Sequence, residues 1–211
     1  MLSAVPPEAR DVAPSRITIA FCSGRRQVVS VVDMLVGRLR ALGYAESLSL
    51  RLLVVWDSTL EGAPPPDREL RLSGVGAFEE VRCIQLASGV SLACAAGATG
   101  SIEPLIKRPG YSAQRNVAIL DALRAGSDAL LFLDDDEYFS APWRDEGGTL
   151  HWRPVDPLGP HLDGLSRGAA VTNGTTLGEP SPIPRGITRH LAPALLRRLG
   201  AALASGSEFL T

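Results

Sequence analysis

The sequence predicts an α/β fold in which a mostly parallel central sheet is flanked by helices, and three observations predict it. Short β-branched and apolar runs (Arg16–Cys22, Leu50–Trp56) alternate with segments of helical period. A strand, a Gly-containing turn and an amphipathic helix follow one another from Arg16 to Leu42. Ala129 to Leu133 is apolar without polar alternation, the pattern of a strand covered on both faces, as in a parallel sheet.

Each element has its own justification. Residues 1–15 carry Pro6, Pro7, Pro14, Glu8 and Asp11 with no apolar core, so a disordered lead-in is expected rather than a signal peptide or membrane span. The first strand, Arg16–Cys22, breaks at Ser23-Gly24-Arg25-Arg26. A helix from Val28 to Leu42 then places Val32, Leu35, Val36 and Leu39 on one face and stops at Gly43. Leu50–Trp56 is the second strand, Pro64-Pro65-Pro66 stiffens the next loop, a short helix is expected over Arg68–Leu72, and Val81–Leu86 alternates as a third strand. Ser88–Gly100, rich in Gly and Ala, reads as a loop or weak helix. From Ser112, a cap residue, a helix runs through Val117, Leu120 and Leu123 to Gly126. Beyond Tyr138 the expected elements are a strand over Thr149–Arg153, a Pro-rich loop over Pro154–Asp163, a strand over Gly168–Asn173, a rigid loop over Glu179–Pro184 and a helix over Ile187–Leu203.

Composition bounds the function classes. A chain of 211 residues can bury roughly 70% of the surface its unfolded form exposes, enough for one full core, so 16–211 is expected to be a single domain. A charged fraction of 21% and a net charge of −2 give no support for binding nucleic acid or a membrane through bulk charge. The three cysteines, Cys22, Cys83 and Cys94, have no C-x-x-C spacing; the first two fall in strands as core thiols, and a reducing cytoplasm is the simplest compartment. Oligomeric state is not legible.

Chemistry concentrates at the end of the buried strand, where Asp134, Asp135, Asp136 and Glu137 follow Leu133. Open α/β sheets bind ligands in the crevice outside the carboxyl ends of their strands. Adjacent carboxylates there raise one another's pKa unless a cation offsets the repulsion. A hard divalent metal suits them: magnesium takes one or two carboxylates and leaves sites for phosphate oxygens. The plain alternative is a solvated acidic turn. The Ser23-Gly24-Arg25 turn offers a phosphate or nucleotide contact, since free N–H groups at a helix start point at the crevice, although neither G-x-G-x-x-G nor a P-loop lysine is present.

Arg115-Asn116 opening a helix, then Gly126-Ser127-Asp128 and Leu131-Phe132-Leu133-Asp134-Asp135-Asp136, resembles the Asp-x-Asp region of nucleotide-sugar glycosyltransferases of the GT-A fold, most like the inverting family 2. The resemblance implies a GT-A-like, Rossmann-like fold with a nucleotide-sugar-binding half over 16–140 and an irregular acceptor-side half over 141–211, which is expected to be either a short form or a part that continues past Thr211. It implies that Asp134 lies near the ribose and base, that Asp136 holds manganese or magnesium on the diphosphate, and that Asp135 is the variable middle residue of the donor site. Asp57 would contact the nucleotide base, or equally cap a turn; Trp56 stands where a second acid is usual. Arg115 would meet the diphosphate, or be a surface arginine. A histidine completes the metal site in some such enzymes, and His151 or His161 is placed for it, with His151 preferred. The implied reaction moves a sugar from a nucleoside diphosphate donor to an acceptor hydroxyl, with inversion, and needs a carboxylate base from the C-terminal half. Asp163, Glu179 and Glu208 are eligible by position.

Two rivals remain. A sugar nucleotidyltransferase would share the layout, but the first turn has only part of the Gly-rich loop and no lysine precedes Lys107. A non-catalytic domain that binds a nucleotide or partner would retain ligand without transfer. A hydrolase finds no Ser-centred elbow and no H-E-x-x-H.

Overall fold

The computed structural model describes residues 14–58, 62–85 and 110–174, all within one compact unit, Met1–Gly174. The lead-in over 1–13, the Ser88–Gly100 segment, Cys94, the Glu179–Pro184 loop, the Ile187–Leu203 helix, Glu179 and Glu208 lie outside the described residues.

The architecture is a Rossmann-like α/β fold. Four parallel strands, β1 (Arg16–Ser23), β2 (Ser49–Trp56), β3 (Glu80–Gln85) and β4 (Ala129–Leu133), form a sheet in the order β3-β2-β1-β4. The chain moves outward from β1 to β3 and then returns to lay β4 on the other side of β1. The order therefore reverses between β1 and β4, the kind of switch point where α/β sheets open a crevice.

Helix α1 (Val28–Ala41) buries Val28, Val31, Val32, Leu35, Val36 and Leu39. They pack on Ile17, Ile19 and Phe21 of β1 and on Leu50, Leu52, Val54 and Trp56 of β2. Each such side chain contributes about 1.5–3 kcal/mol on burial. Gly43, at φ +75°, ends the segment as expected, and a one-turn helix α2 (Tyr44–Ser47), unforeseen in the sequence, leads into β2. Helix α3 (Asp67–Gly74) covers the same face, with Leu70 fully buried.

Helix α4 (Tyr111–Arg124) covers the opposite face. The sequence points to Leu120 and Leu123 as its core, yet Leu123 is 69% exposed, and the buried positions are Ala113, Gln114, Val117, Ala118, Asp121 and Ala122. Small residues let the helix sit close to the sheet, while the two polar ones have buried partners. Its start also differs: Gly110, at φ +136°, occupies the cap position and Ser112 is an exposed helical residue. A backbone at that φ suits glycine, so the chain enters the helix two residues earlier than a cap at Ser112 would allow. The stop is as expected. Gly126 (φ +66°) donates to the Leu123 carbonyl and Ser127 to that of Ala122, both at 3.1 Å, a Schellman closure.

Three further expectations need correction. Strand β4 lies beside β1 at the end of the described sheet, so Ala129–Phe132 are half-buried rather than covered on both faces. The Pro-rich segment contains helix α5 (Gly159–Ser166), since Pro160 sits in the first turn where a missing N–H costs nothing and Asp156 accepts from the N–H groups of Leu158 (3.0 Å) and Gly159 (2.8 Å). Residues 168–173 form no strand: Val171 is 83% exposed, and no strand among the described residues pairs with this segment. The expected strand over Thr149–Arg153 is present as β6 (Leu150–Pro154), antiparallel to β5 (Ser140–Arg144) in a separate two-stranded sheet. No helix among the described residues is long and apolar enough to cross a membrane.

Candidate functional site

A cleft of about 790 Å³ opens at the carboxyl ends of the strands, lined by Cys22, Ser23, Arg25, Asp57, Gly110, Tyr111, Gln114, Asp134, Asp135 and Asp136. Its parts arrive from three strand ends and one helix start. β1 delivers Cys22 and Ser23, β2 leads to Asp57, β4 to the acids, and α4 contributes Tyr111 and Gln114. Asp57 is buried, and its N–H donates to the Ser23 carbonyl at 2.8 Å, extending the β1–β2 ladder by one bond.

The acid run divides into different roles. Leu133 and Asp135 are buried while Asp134 and Asp136 are exposed, so the period-two alternation of a strand continues past the end of β4. Asp135 turns inward. Ser23 Oγ donates to its Oδ2, Arg25 Nε donates to the same oxygen at 3.1 Å, and Arg25 Nη2 donates to Oδ1. This fork holds the Arg25 guanidinium pKa above its ordinary value, chiefly through the hydrogen bond to Asp135. Asp135, expected as a variable donor-site residue, is thus the anchor of the β1–α1 turn. Its carboxylate is spent on protein groups, which corrects that expectation. Gly24 is buried inside the same turn and does not line the cleft.

Asp134 and Asp136 are left facing solvent. Asp134 Oδ1 accepts from Tyr111 Oη at 2.7 Å, and Asp136 Oδ2 lies 3.6 Å from Arg25 Nη2. Burial, reinforced by the bond to Asp134, pushes the Tyr111 hydroxyl pKa up, and burial with the Asp134 charge raises Glu137. Burial likewise pushes the Cys22 thiol up to about 12, so it is a neutral wall of the cleft rather than a nucleophile.

Arg115 does not line the cleft. It stands behind Tyr111, donating to its hydroxyl at 2.8 Å, with the guanidinium carbon 4.6 Å from the Tyr111 ring centroid and 5.0 Å from that of Phe132. His151 is not brought to the acids. It lies on β6, bonded to Asp145 Oδ2 at 2.8 Å and stacked on Trp143, because alternation in the hairpin sets it opposite that ring. His161 is likewise elsewhere, on α5, with Nδ1 2.8 Å from Thr172 Oγ1. Asp163 faces outward on α5 in an i,i+4 ion pair with Arg167, so it does not serve the cleft as a base.

The sequence reading missed Tyr111, Gln114 and Gly110. Gln114, 3% exposed, donates from Nε2 to the carbonyls of Ser23 (3.3 Å) and Val55 (3.1 Å), tying α4 to the ends of β1 and β2. Its long-range partners leave no local trace.

No group of three or more His, Cys, Asp and Glu side chains that could hold a metal occurs among the described residues. What the cleft presents is two exposed carboxylates beside a guanidinium, a donor set that fits a cation arriving with phosphate oxygens better than a resident, fully protein-ligated ion.

No family model matches the chain, and no curated protein matches it. A solved structure described as a universal stress protein in complex with cAMP is similar over 58% of this chain and 99% of that one, at 14% identity and a TM-score of 0.26, too low to bear on fold or ligand. The resemblance to family 2 glycosyltransferases is withdrawn, because neither comparison by sequence returns that family.

Proposed function

We propose that the cleft binds a nucleoside diphosphate together with a divalent cation, and that the domain transfers the sugar such a donor carries to an acceptor hydroxyl. The reading rests on charge arrangement, not kinship. One observation carries it: Asp135 is consumed inside the protein, while Asp134 and Asp136 flank it with their carboxylates toward the cleft. Two exposed like charges beside a single guanidinium are an unfilled demand for positive charge.

In this reading Asp134 and Asp136 hold the cation, and Asp135 fixes Arg25 so that its outer edge can turn from Asp136 to a phosphate oxygen. Ser23 and the Arg25 turn shape the phosphate wall, and Asp57 supplies an acceptor on the opposite wall for a ribose or base N–H or O–H. A magnesium or manganese ion at such a site offsets the charge that builds on a departing diphosphate. Cys22, neutral and apolar, keeps that side of the cleft dry.

A second reading, a nucleotide-binding module without transfer, has one observation in its favour: Asp163, the described candidate base, points away from the cleft. Thermal-shift screening of UDP, GDP, dTDP and CDP with and without manganese tests the binding. A ligand at a hundredfold excess over its Kd adds about 2.7 kcal/mol of stability. The expected result is a manganese-dependent rise in Tm with one diphosphate, absent in Asp136→Ala. No response to any of the four would sink the proposal, and preference for a triphosphate would favour nucleotidyl transfer. Binding without donor hydrolysis or transfer would leave the module.

A further inference from the structure

We infer that Tyr111 is a positioning residue for Asp134, holding one carboxylate oxygen so that the other is presented to the cation in a fixed direction. The inference rests on the cation-and-diphosphate reading of the cleft. Asp134 is exposed, and a carboxylate on an exposed turn would ordinarily sample many orientations, losing freedom when a ligand arrives. Here its Oδ1 accepts from the Tyr111 hydroxyl at 2.7 Å. The hydroxyl has a single proton, which that bond uses. Arg115 fixes the direction by donating Nη2–H to the same oxygen at 2.8 Å, so the tyrosine can only give its proton forward. Arg115 is itself held over the rings of Tyr111 and Phe132. Phe132 lies in β4, two residues before Asp134, so the brace returns to the strand that delivers the acid. Gly110, at φ +136°, places Tyr111 at the mouth of the cleft as the first residue of α4.

Outer-sphere groups that orient a metal ligand typically change metal affinity by about 10–100-fold when removed. The measurement is free manganese by electron paramagnetic resonance during titration of the purified chain, with each of UDP, GDP, CDP and dTDP and without nucleotide. Melting temperatures in EDTA are recorded in parallel. Tyr111→Phe is expected to weaken manganese binding about tenfold, at the low end of that range, with an unchanged metal-free Tm. Arg115→Gln is expected to weaken it less, and the double variant to be no worse than Tyr111→Phe, because Arg115 acts through the hydroxyl.

Tyr111→Phe binding manganese as the wild type does, or additive losses in the double variant, would overturn the inference while leaving the cleft reading intact. A wild-type chain that takes up no manganese under any of these conditions would overturn both. Loss in Asp136→Ala together with an unaltered Tyr111→Phe separates the two.

Discussion

The two ends of the sheet both set arginine against carboxylate, and they do so in opposite ways. At the amino end, on the α4 face, Arg51 of β2 is buried with Asp121 of α4, whose Oδ2 lies 3.3 Å from Arg51 Nη2. Arg51 Nε donates to Glu80 at 2.7 Å, its Nη1 donates to Thr18 at 3.1 Å, and Arg82 closes on Asp121 Oδ1 at 2.6 Å as an ion pair without hydrogen-bond geometry. At the carboxyl end, the Arg25 side chain is 44% exposed and that of Asp136 is 60% exposed. The first cluster is closed at its centre, where Arg51 and Asp121 are buried, and every charge has a protein partner, with Glu80 and Arg82 half-exposed at its edge. The second is open on one side, with spare charge aimed outward. Similar residue types hold helix to sheet where they are sealed and offer a ligand site where they are not.

The comparison can be broken most severely at the closed end. Asp121→Ala leaves Arg51 buried without its helix-side partner, and removing one member of a buried pair costs about 3–5 kcal/mol. Urea unfolding is expected to show a loss near the lower bound, since Glu80 and Thr18 still engage Arg51. A loss below about 1 kcal/mol would mean the cluster is not closed as described.

Asp135→Ala ranks next. It removes the acceptor of the Arg25 fork and of Ser23, but Arg25 can turn to water, so the expected cost is about 2 kcal/mol, typical of bonds to a charged group. Diphosphate binding should fall with it, because the β1–α1 turn loses its anchor. Stability and binding would have to separate for Asp135 to be a direct ligand.

The thiols supply a pH test. Burial raises Cys22 and Cys83 from 9.0 to about 12. Between those values the unfolded chain releases protons that the folded one keeps, so the stability these thiols contribute is intact below pH 9 and declines as pH climbs toward 12. Urea midpoints at pH 8 and pH 10 are expected to differ less in Cys22→Ala than in wild type. Peptide mapping after a thiol reagent at pH 8 should find both residues unmodified in the native state.

The smallest effect belongs to Asp163→Ala. Its exposed pair with Arg167 contributes within about 0.5 kcal/mol. Nucleotide binding and any transfer activity are expected to survive, and their loss would return Asp163 to the site.

Strands β1, β2 and β4 and helix α1 were legible because each rests on a local pattern of apolar residues that its burial in the sheet requires. Helix α5 was hidden because Pro160 reads as a loop former unless its place in the first turn is known, and Leu123 misled because small residues, not large ones, face the sheet in α4. At the site, the acid run was visible but its division was not. The alternation from Leu133 to Asp136 was the available signal, since carrying the strand's phase two residues further assigns Asp135 to the interior. Tyr111 and Gln114 had no such signal, their partners being 23 to 91 residues away.

Gln114 has a consequence for what the cleft can recognise. Its amide caps two strand termini at once, so the bottom of the crevice is already saturated and has no backbone oxygen from Ser23 or Val55 waiting for a guest. Selectivity must then reside in the rim, where substitutions can retune the guest without disturbing the sheet beneath.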